Sequence, residues 1–312
     1  MTAYLLRRLW QTIPTLLGVI LLVFFLFKYF GGDPAEILGG LSASQQQIEA
    51  IRDQLGLNRP VWEQLWIFLK QIASFDWGKS WATNESVAAL FASRLPATLT
   101  VMVPILVLDV LLAVPFALGV AYVRGSLTDR AIMIASTVAL SISLLVYVIV
   151  GQYLFAFQLG WFPVQGWSNS FLTNLAVYTP LPVLLVVAVG LAPQTRLYRT
   201  FFLDEIGQDY VRTARAKGLT ETTILLKHVL RNALIPILTN VAVQLPGIFV
   251  GSFLIETFFS IPGLGREVLL AVNRSDYPVI QAVTIYLAVI TMAVNVATDV
   301  MYKLVDPRVV LK

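Results

Sequence analysis

Residues 204–236 read DEIGQDYVRTARAKGLTETTILLKHVLRNALIP, a 33-residue polar and basic island between two long apolar runs. Asp209 is placed to cap a short helix through Lys217, since a carboxylate there can accept from the free N–H groups of the first turn. Arg212, Arg215 and Lys217 lie toward the negative end of that helix, and Gly218 is positioned to stop it. A second helix is expected from near Thr220, with Glu221 in its first turn, through Lys227, His228 and Arg231 to a stop before Pro236. The island therefore reads as two capped helices. Small residues at Thr213, Ala214, Ala216 and Gly218 permit close approach of another protein's backbone. The arginines equally suit a connecting loop that only fixes orientation in a membrane. Helix and charge signals alone do not choose between the two.

Composition sets the surroundings. A chain of 312 residues that is 57% hydrophobic and 13% charged, with mean hydropathy +0.77, is a polytopic membrane protein. Six runs reach the roughly 20 residues a bilayer core demands: about 9–30, 97–123, 131–156, 179–198, 236–258 and 280–303. Pro180, Pro182 and Pro193 interrupt the fourth. With the N-terminus inside, the inner segments hold Arg7, Arg8, Arg124, Arg130, Arg196, Arg199, the island's five basic residues, and Lys303, Arg308 and Lys312. The outer segments hold more acids than bases, so both termini are placed in the cytoplasm. The net +4 records this bias and gives no support to nucleic-acid binding. The first apolar run is longer than a signal-peptide core and lacks a small-residue cleavage site after Lys28 and Tyr29, so it reads as a retained span.

Between the first two spans, GGDPAEILGG is a turn-rich outer stretch. Ser44 can cap a helix through Leu55 that Gly56 ends, and Pro60 to Leu69 makes another with Trp62, Leu65, Trp66 and Leu69 on one side. This outer cap can touch a partner outside the membrane or pack on the outer ends of the spans with its Trp residues at the interface. The second span is expected to begin at Pro96 and to kink at Pro104 and Pro115. Asp109 lies near its middle, where a carboxylate is costly unless paired or facing water. Trp161, Phe162 and Trp167 read as interfacial aromatics. In the fifth span Gly247 and Gly251 form a GxxxG that suits close helix packing. SIPGLG at 260–265 should break the helix and start a short outer one, Arg266 to Val272. Asp299 and Lys303 are spaced as a helix-stabilising pair.

Several chemistries lack their residues. No GxxxxGK[ST] phosphate loop, HExxH or GxSxG occurs. There is no Cys and only His228, so neither a thiolate nor a His-cluster metal site is predicted.

The segment Asp209 to Pro236 resembles the EAA loop of ABC-importer permeases, and DYVRTARAKGL followed by HVLRNALIP resembles the dipeptide and oligopeptide branch. LLRRL…IPTLLGV…GGDPAE, IETFFSIPGLGRE and RSDYPVIQ extend the resemblance over nearly the whole chain. Arg212, Thr213 and Ala214 stand where the general pattern has Glu-Ala-Ala, and the spacing from Gly218 to Pro236 is longer, both as in the peptide branch. The resemblance implies an all-α, six-span type I ABC-importer permease of the bacterial inner membrane. It divides the chain into 1–30, the cytoplasmic tip and first span; 31–95, a periplasmic helical segment; and 96–312, a five-span core with a coupling loop at 199–236.

On this resemblance Asp209, Tyr210, Arg212, Thr213, Ala214, Arg215, Ala216, Lys217, Gly218 and Leu219 couple the permease to its ATPases, and Asp109, Gln244, Ser252 and Glu256 belong to the translocation path. No cofactor is bound by the chain itself, and ATP and Mg sit on the partners. Those partners are two ATPase subunits, a second homologous permease, a periplasmic binding protein and membrane lipid. Peptides are the implied substrate, with glutathione, nickel chelates and oligosaccharides as alternatives in the same architecture. A secondary transporter using Asp109 and Asp299, or a membrane scaffold, would work without an ATPase.

Overall fold

The computed structural model describes residues 2–40 and 43–305; among these the regular elements are helices joined by turns and loops, with one isolated backbone bridge between Lys79 and Ser86. Five stretches are long and apolar enough to cross a bilayer: Trp10–Phe30, Val87–Tyr122, Pro180–Ile206, Glu221–Phe258 and Tyr277–Val300. A further pair, Leu127–Leu140 followed by Leu144–Gln158, meets at a bend of 90° and is long and apolar enough only when taken together, which makes six crossings where the pair counts as one broken span. The first helix, α1, is Thr2–Phe30.

The outer cap follows the sequence closely. Helix α2 (Pro34–Gly39) is capped by Asp33, whose carboxylate accepts from Ala35 N–H at 2.9 Å. Helix α3 (Gln45–Gln54) carries the full Ser44–Gln47 capping box, and Gly56 follows it with a positive φ. Arg52 reaches back from α3 and donates its Nε to Asp33 at 2.8 Å. Burial pushes the Asp33 carboxyl up, but the Arg52 guanidinium and the Ala35 N–H together hold it below the usual carboxylate value. Helix α4 (Val61–Ala73) lays Phe68 against Phe24 of α1, and Lys28 donates to Gln64 at 2.9 Å. Trp62 and Trp66 remain exposed on its other side.

Helix α5 (Val87–Tyr122) starts nine residues before the predicted Pro96, after Ser86, and takes Pro96, Pro104 and Pro115 into its interior. The expected boundary at 95/96 thus falls inside one continuous helix. Its first turns are buried at Val87 and Leu90, so tertiary packing carries the helix past the proline that local propensity favours as a start.

Helix α6 (Leu127–Leu140) and helix α7 (Leu144–Gly151), which continues as a π-helical turn over Gln152–Gln158, replace the single third span. Two serines make the break. Ser141 bonds back to the Thr137 carbonyl at 3.0 Å, while Ser143 accepts from Leu145 N–H at 3.3 Å and caps the new helix. Phe162 and Trp167 of the following loop pack on the outer core, and only Trp161 is strongly exposed.

After a short turn, α8 (Phe171–Thr173) with its π extension, helix α9 runs unbroken over Pro180–Ile206. Pro180 and Pro182 occupy its first turn, where the missing N–H has no partner to lose. Helix α10 is Asp209–Ala216. Helix α11 (Glu221–Thr223) passes through a π-helical stretch, Ile224–Val229, into α12 (Leu230–Val250), so Pro236 lies within a continuous helix and does not end it. Gly251, with φ of 80°, ends it.

Gly251 is therefore a terminus, where a Cβ would lie 2.8 Å from Thr98 Cγ2 of α5, while nothing lies within 4 Å of a Cβ built on Gly247, so among the described residues the two glycines do not form one helix-packing face. Helices α13 (Phe253–Phe258), α14 (Leu264–Asn273) and α15 (Tyr277–Val305) complete the fold. The side chain of Lys303, the expected partner of Asp299, and the closing DPRVVLK lie outside the described residues.

Three cores hold the helices, the smallest joining Val87 of α5 to Ala271 of α14 and Val279, Ala282 and Val283 of α15. The inner one joins Ala113, Ala117, Leu118 and Ala121 of α5 to Tyr198 and Phe202 of α9 and Ala233 and Ile237 of α12. The outer one joins Ala97 and Val101 of α5, Val148 of α7, Leu181 to Val187 of α9, and Ile255, Phe259 and Ile261. A polar knot fixes the outer turn. Glu256, 0% exposed, accepts from Thr98 Oγ1 at 2.9 Å and from Arg266 N–H at 2.9 Å, and Thr98 Oγ1 in turn accepts from Leu264 N–H at 2.8 Å.

Thr98→Val keeps the side-chain volume but orphans the Leu264 N–H and one carboxylate oxygen, at about 1–3 kcal/mol for each buried group. The thermal unfolding midpoint of the detergent-purified protein should fall accordingly. An unchanged midpoint would mean that the knot contributes nothing to holding α14.

Candidate functional site

The island is a helical hairpin mounted on the inner core. Its first helix begins one residue away from the expected position. Gln208 is the N-cap residue and makes no side-chain cap bond, whereas Asp209 is the first helical residue and pairs with Arg212 at 3.3 Å. Asp209 is solvent-exposed and acts through the first-turn dipole instead of as a cap.

At the other end Lys217 is the C-cap and Gly218 follows at φ of 78°, a left-handed conformation that only glycine adopts freely. Gly218 N–H then donates to the Arg215 carbonyl at 2.9 Å, and Leu219 N–H to the Ala214 carbonyl at 3.3 Å. Thr220 accepts from Thr223 N–H at 3.4 Å and starts the second helix as the sequence predicts. Arg215 forks onto Glu221 with N–O distances of 2.7 and 3.1 Å, closing the hairpin across its turn.

The two faces of α10 differ. Val211 (0% exposed) and Ala214 (5%) enter the inner core beside Tyr198, Phe202, Ile224 and Val229. Tyr210 is half-buried and donates to Glu205 at 2.6 Å; burial, and then that carboxylate, push its hydroxyl up to about 12, so it stays a neutral donor. Arg212, Thr213, Arg215, Ala216, Lys217, Gly218 and Leu219 face outward. Of the four small residues, Ala214 therefore seats the hairpin on its own protein, and Thr213, Ala216 and Gly218 remain available at the surface. Burial of Val211 and Ala214 three residues apart is the amphipathic signal that orients the helix.

The path candidates separate into two pairs. Asp109 and Gln244 line one cavity of about 370 Å³ between α5 and α12, together with Met102, Ile105, Leu106, Val243, Gly247, Ile248 and Gly251. Ser252 and Glu256 do not join them. Ser252 caps α13 through Ile255 N–H at 3.4 Å, and Glu256 is spent in the fully buried knot with Thr98. Both are correctly seen as polar residues at the end of a span, but their hydrogen bonds turn inward.

The structure adds residues that the sequence reading passes over. Arg199, counted there only as a positive-inside charge, forks onto Asp129 with N–O distances of 2.8 and 2.7 Å, and Asp129 also accepts from Gly125 N–H at 2.9 Å. This ties the first inner turn to α9. Beside the cavity, Tyr198 donates to Asn240 at 3.2 Å and Gln244 donates to Asn240 at 2.8 Å. The four-residue step from Asn240 to Gln244 is a helix-face signal legible in sequence, whereas a pair 70 residues apart is not.

Known proteins place this geometry. The family model described as the binding-protein-dependent transport system inner membrane component matches residues 113–311, and its companion for the N-terminal part of such components matches residues 1–102. A putative peptide transport system permease protein of Brucella abortus is 34% identical over 99% of both chains. A probable peptide ABC transporter permease protein of Sinorhizobium fredii is 33% identical over 99% of both. A glutathione transport system permease protein of Salmonella choleraesuis is 34% identical, again over 99% of both. The six crossings, the mounted hairpin and these matches agree: the chain belongs to the inner membrane components of binding-protein-dependent transport systems, as a multi-pass permease of the type I ABC-importer fold.

Proposed function

We propose that this permease forms half of a translocation pathway for peptides handed over by a periplasmic binding protein, the other half being a second, homologous permease. Two ATPase subunits, which hold ATP and Mg, dock from the cytoplasm on the hairpin residues Asp209–Leu219. The observation that carries this reading is the mounting of α10, which buries Val211 and Ala214 in a core shared by α5, α9 and α12 and leaves its other face free. A helix held in that way transmits displacement to three spans as one body. Closure of the ATPase pair on ATP would push the hairpin and rock the spans toward an outward-open state, and hydrolysis would reverse the motion. Arg212 and Lys217 supply polar contacts to the partner, while Arg215 holds the hairpin closed. Asp109 and Gln244 face the path.

Peptides are the favoured substrate because relatives matching the full chain are named for peptide transport. Glutathione, itself a peptide, fits the same reading through a third. The buried carboxylate of Asp109 favours one competing reading, an ATP-independent secondary transporter. Uptake by the isolated chain in liposomes under an ion gradient alone would establish that reading and displace the importer.

Purification in mild detergent from the native host should bring down two P-loop ATPases and a second six-span protein, identified by mass spectrometry; a chain that arrives alone as a stable homo-oligomer argues against the dock. Gly218→Val puts a β-branched residue at φ of 78° and should leave membrane insertion intact. Binding-protein-stimulated ATP turnover should then fall by about tenfold, the equivalent of ~1.4 kcal/mol in a barrier. Full stimulation in that variant would remove the hairpin from the coupling route.

A further inference from the structure

Asp109 sits at the middle of α5 with 5% of its surface exposed, at the wall of the cavity between α5 and α12. Its Oδ1 is buried and has no hydrogen-bond partner. The neighbouring α9 makes room for it with a glycine: a Cβ on Gly190 would lie 2.8 Å from that oxygen. No Lys, Arg or His lines the cavity. Of the polar neighbours, Tyr198 and Gln244 each donate to the Asn240 side-chain oxygen. A carboxyl group has thus been buried at bilayer depth with no cation among the residues that line its cavity, a space of about 370 Å³ that suits a side chain.

A carboxylate in that setting is costly unless something positive visits it. Peptides, the substrates proposed above, carry an ammonium group at their amino terminus and on lysine. On the strength of that reading, we infer that Asp109 is a substrate-recognition residue of the permease, receiving the lysine ammonium of a peptide as it passes between α5 and α12. Gly190 is its positioning residue, leaving the space against α9 that the carboxylate occupies.

The test uses the whole importer in liposomes with its binding protein. Two peptides of equal length that differ only by lysine against norleucine are each supplied at saturating load of the binding protein, and uptake per ATP hydrolysed is measured. The unmodified importer should favour the lysine peptide by roughly tenfold, the scale of a single partly desolvated charge contact. Asp109→Asn should bring that ratio close to one, and Asp109→Glu should restore much of it. Gly190→Ala, which displaces the carboxylate without removing it, should lower the ratio as well. A ratio unchanged in Asp109→Asn overturns the ammonium site, and so does an equal loss of uptake for both peptides, which marks a packing role. Absence of stimulated ATP turnover in the unmodified complex overturns the importer reading instead.

Discussion

Hydrocarbon offers a backbone no hydrogen-bond partner, and each feature of this protein answers that constraint. The spans are helices because a helix satisfies itself. Where helices stop near or within the membrane, side chains take over the role that water has elsewhere. Ser143 caps the second limb of the broken span, Ser252 caps α13, and Glu256 collects donors from α5 and from the turn into α14. The knot resembles a buried ion pair with backbone N–H groups in place of the cation. Removing one participant leaves the others buried and unmatched, which is why such networks are rigid once complete.

The cytoplasmic half applies the same economy to a different end. Here the mounting is apolar, through Val211, Ala214, Ile224 and Val229, and the polar groups are kept for closure of the hairpin and for the surface. Apolar packing is non-directional, so it fixes the hairpin's position without dictating which residues its outer face presents. That division lets one helix serve as both foundation and contact. The Arg199–Asp129 fork extends the foundation to the first inner turn, and its bidentate geometry limits rotation as well as separation.

Much of this was legible in the sequence, for physical reasons that can be named. Ser44 with Gln47, Thr220 before Glu221, and Gly218 after Lys217 act over three or four residues, and each is found where local chemistry puts it. Five of the crossings follow from apolar length alone, while the third apolar run is folded at a 90° bend that length does not reveal. The misplacements share another origin. Pro96 and Pro236 look like boundaries because proline is a poor helix interior residue, yet both lie inside helices that packing sustains. Glu256 and Ser252 are legible as polar residues near a span's end, whereas their hydrogen bonds within the fold come from Thr98, the 264–266 backbone and Ile255 and need the three-dimensional structure. Gly247 and Gly251 match a packing motif by spacing, but one is open and the other is a helix terminus. In each case the sequence names the chemistry, and a contact distant in the chain decides its use.

The 36 residues of α5 carry both ends of the machine. At ~1.5 Å per residue the helix is about 54 Å long, while the hydrocarbon it crosses is only ~30 Å thick. Its inner quarter is part of the hairpin's foundation through Ala117 and Ala121, and its outer third holds Thr98 of the knot and Arg94, 3.4 Å from Glu267 of α14. Treated as a straight rod pivoting at its centre, a tilt of ~5° carries the two ends roughly 2 Å in opposite directions. That is comparable with the whole length of a hydrogen bond, so a small angular error on the cytoplasmic side is enough to make or break a contact on the far face of the membrane.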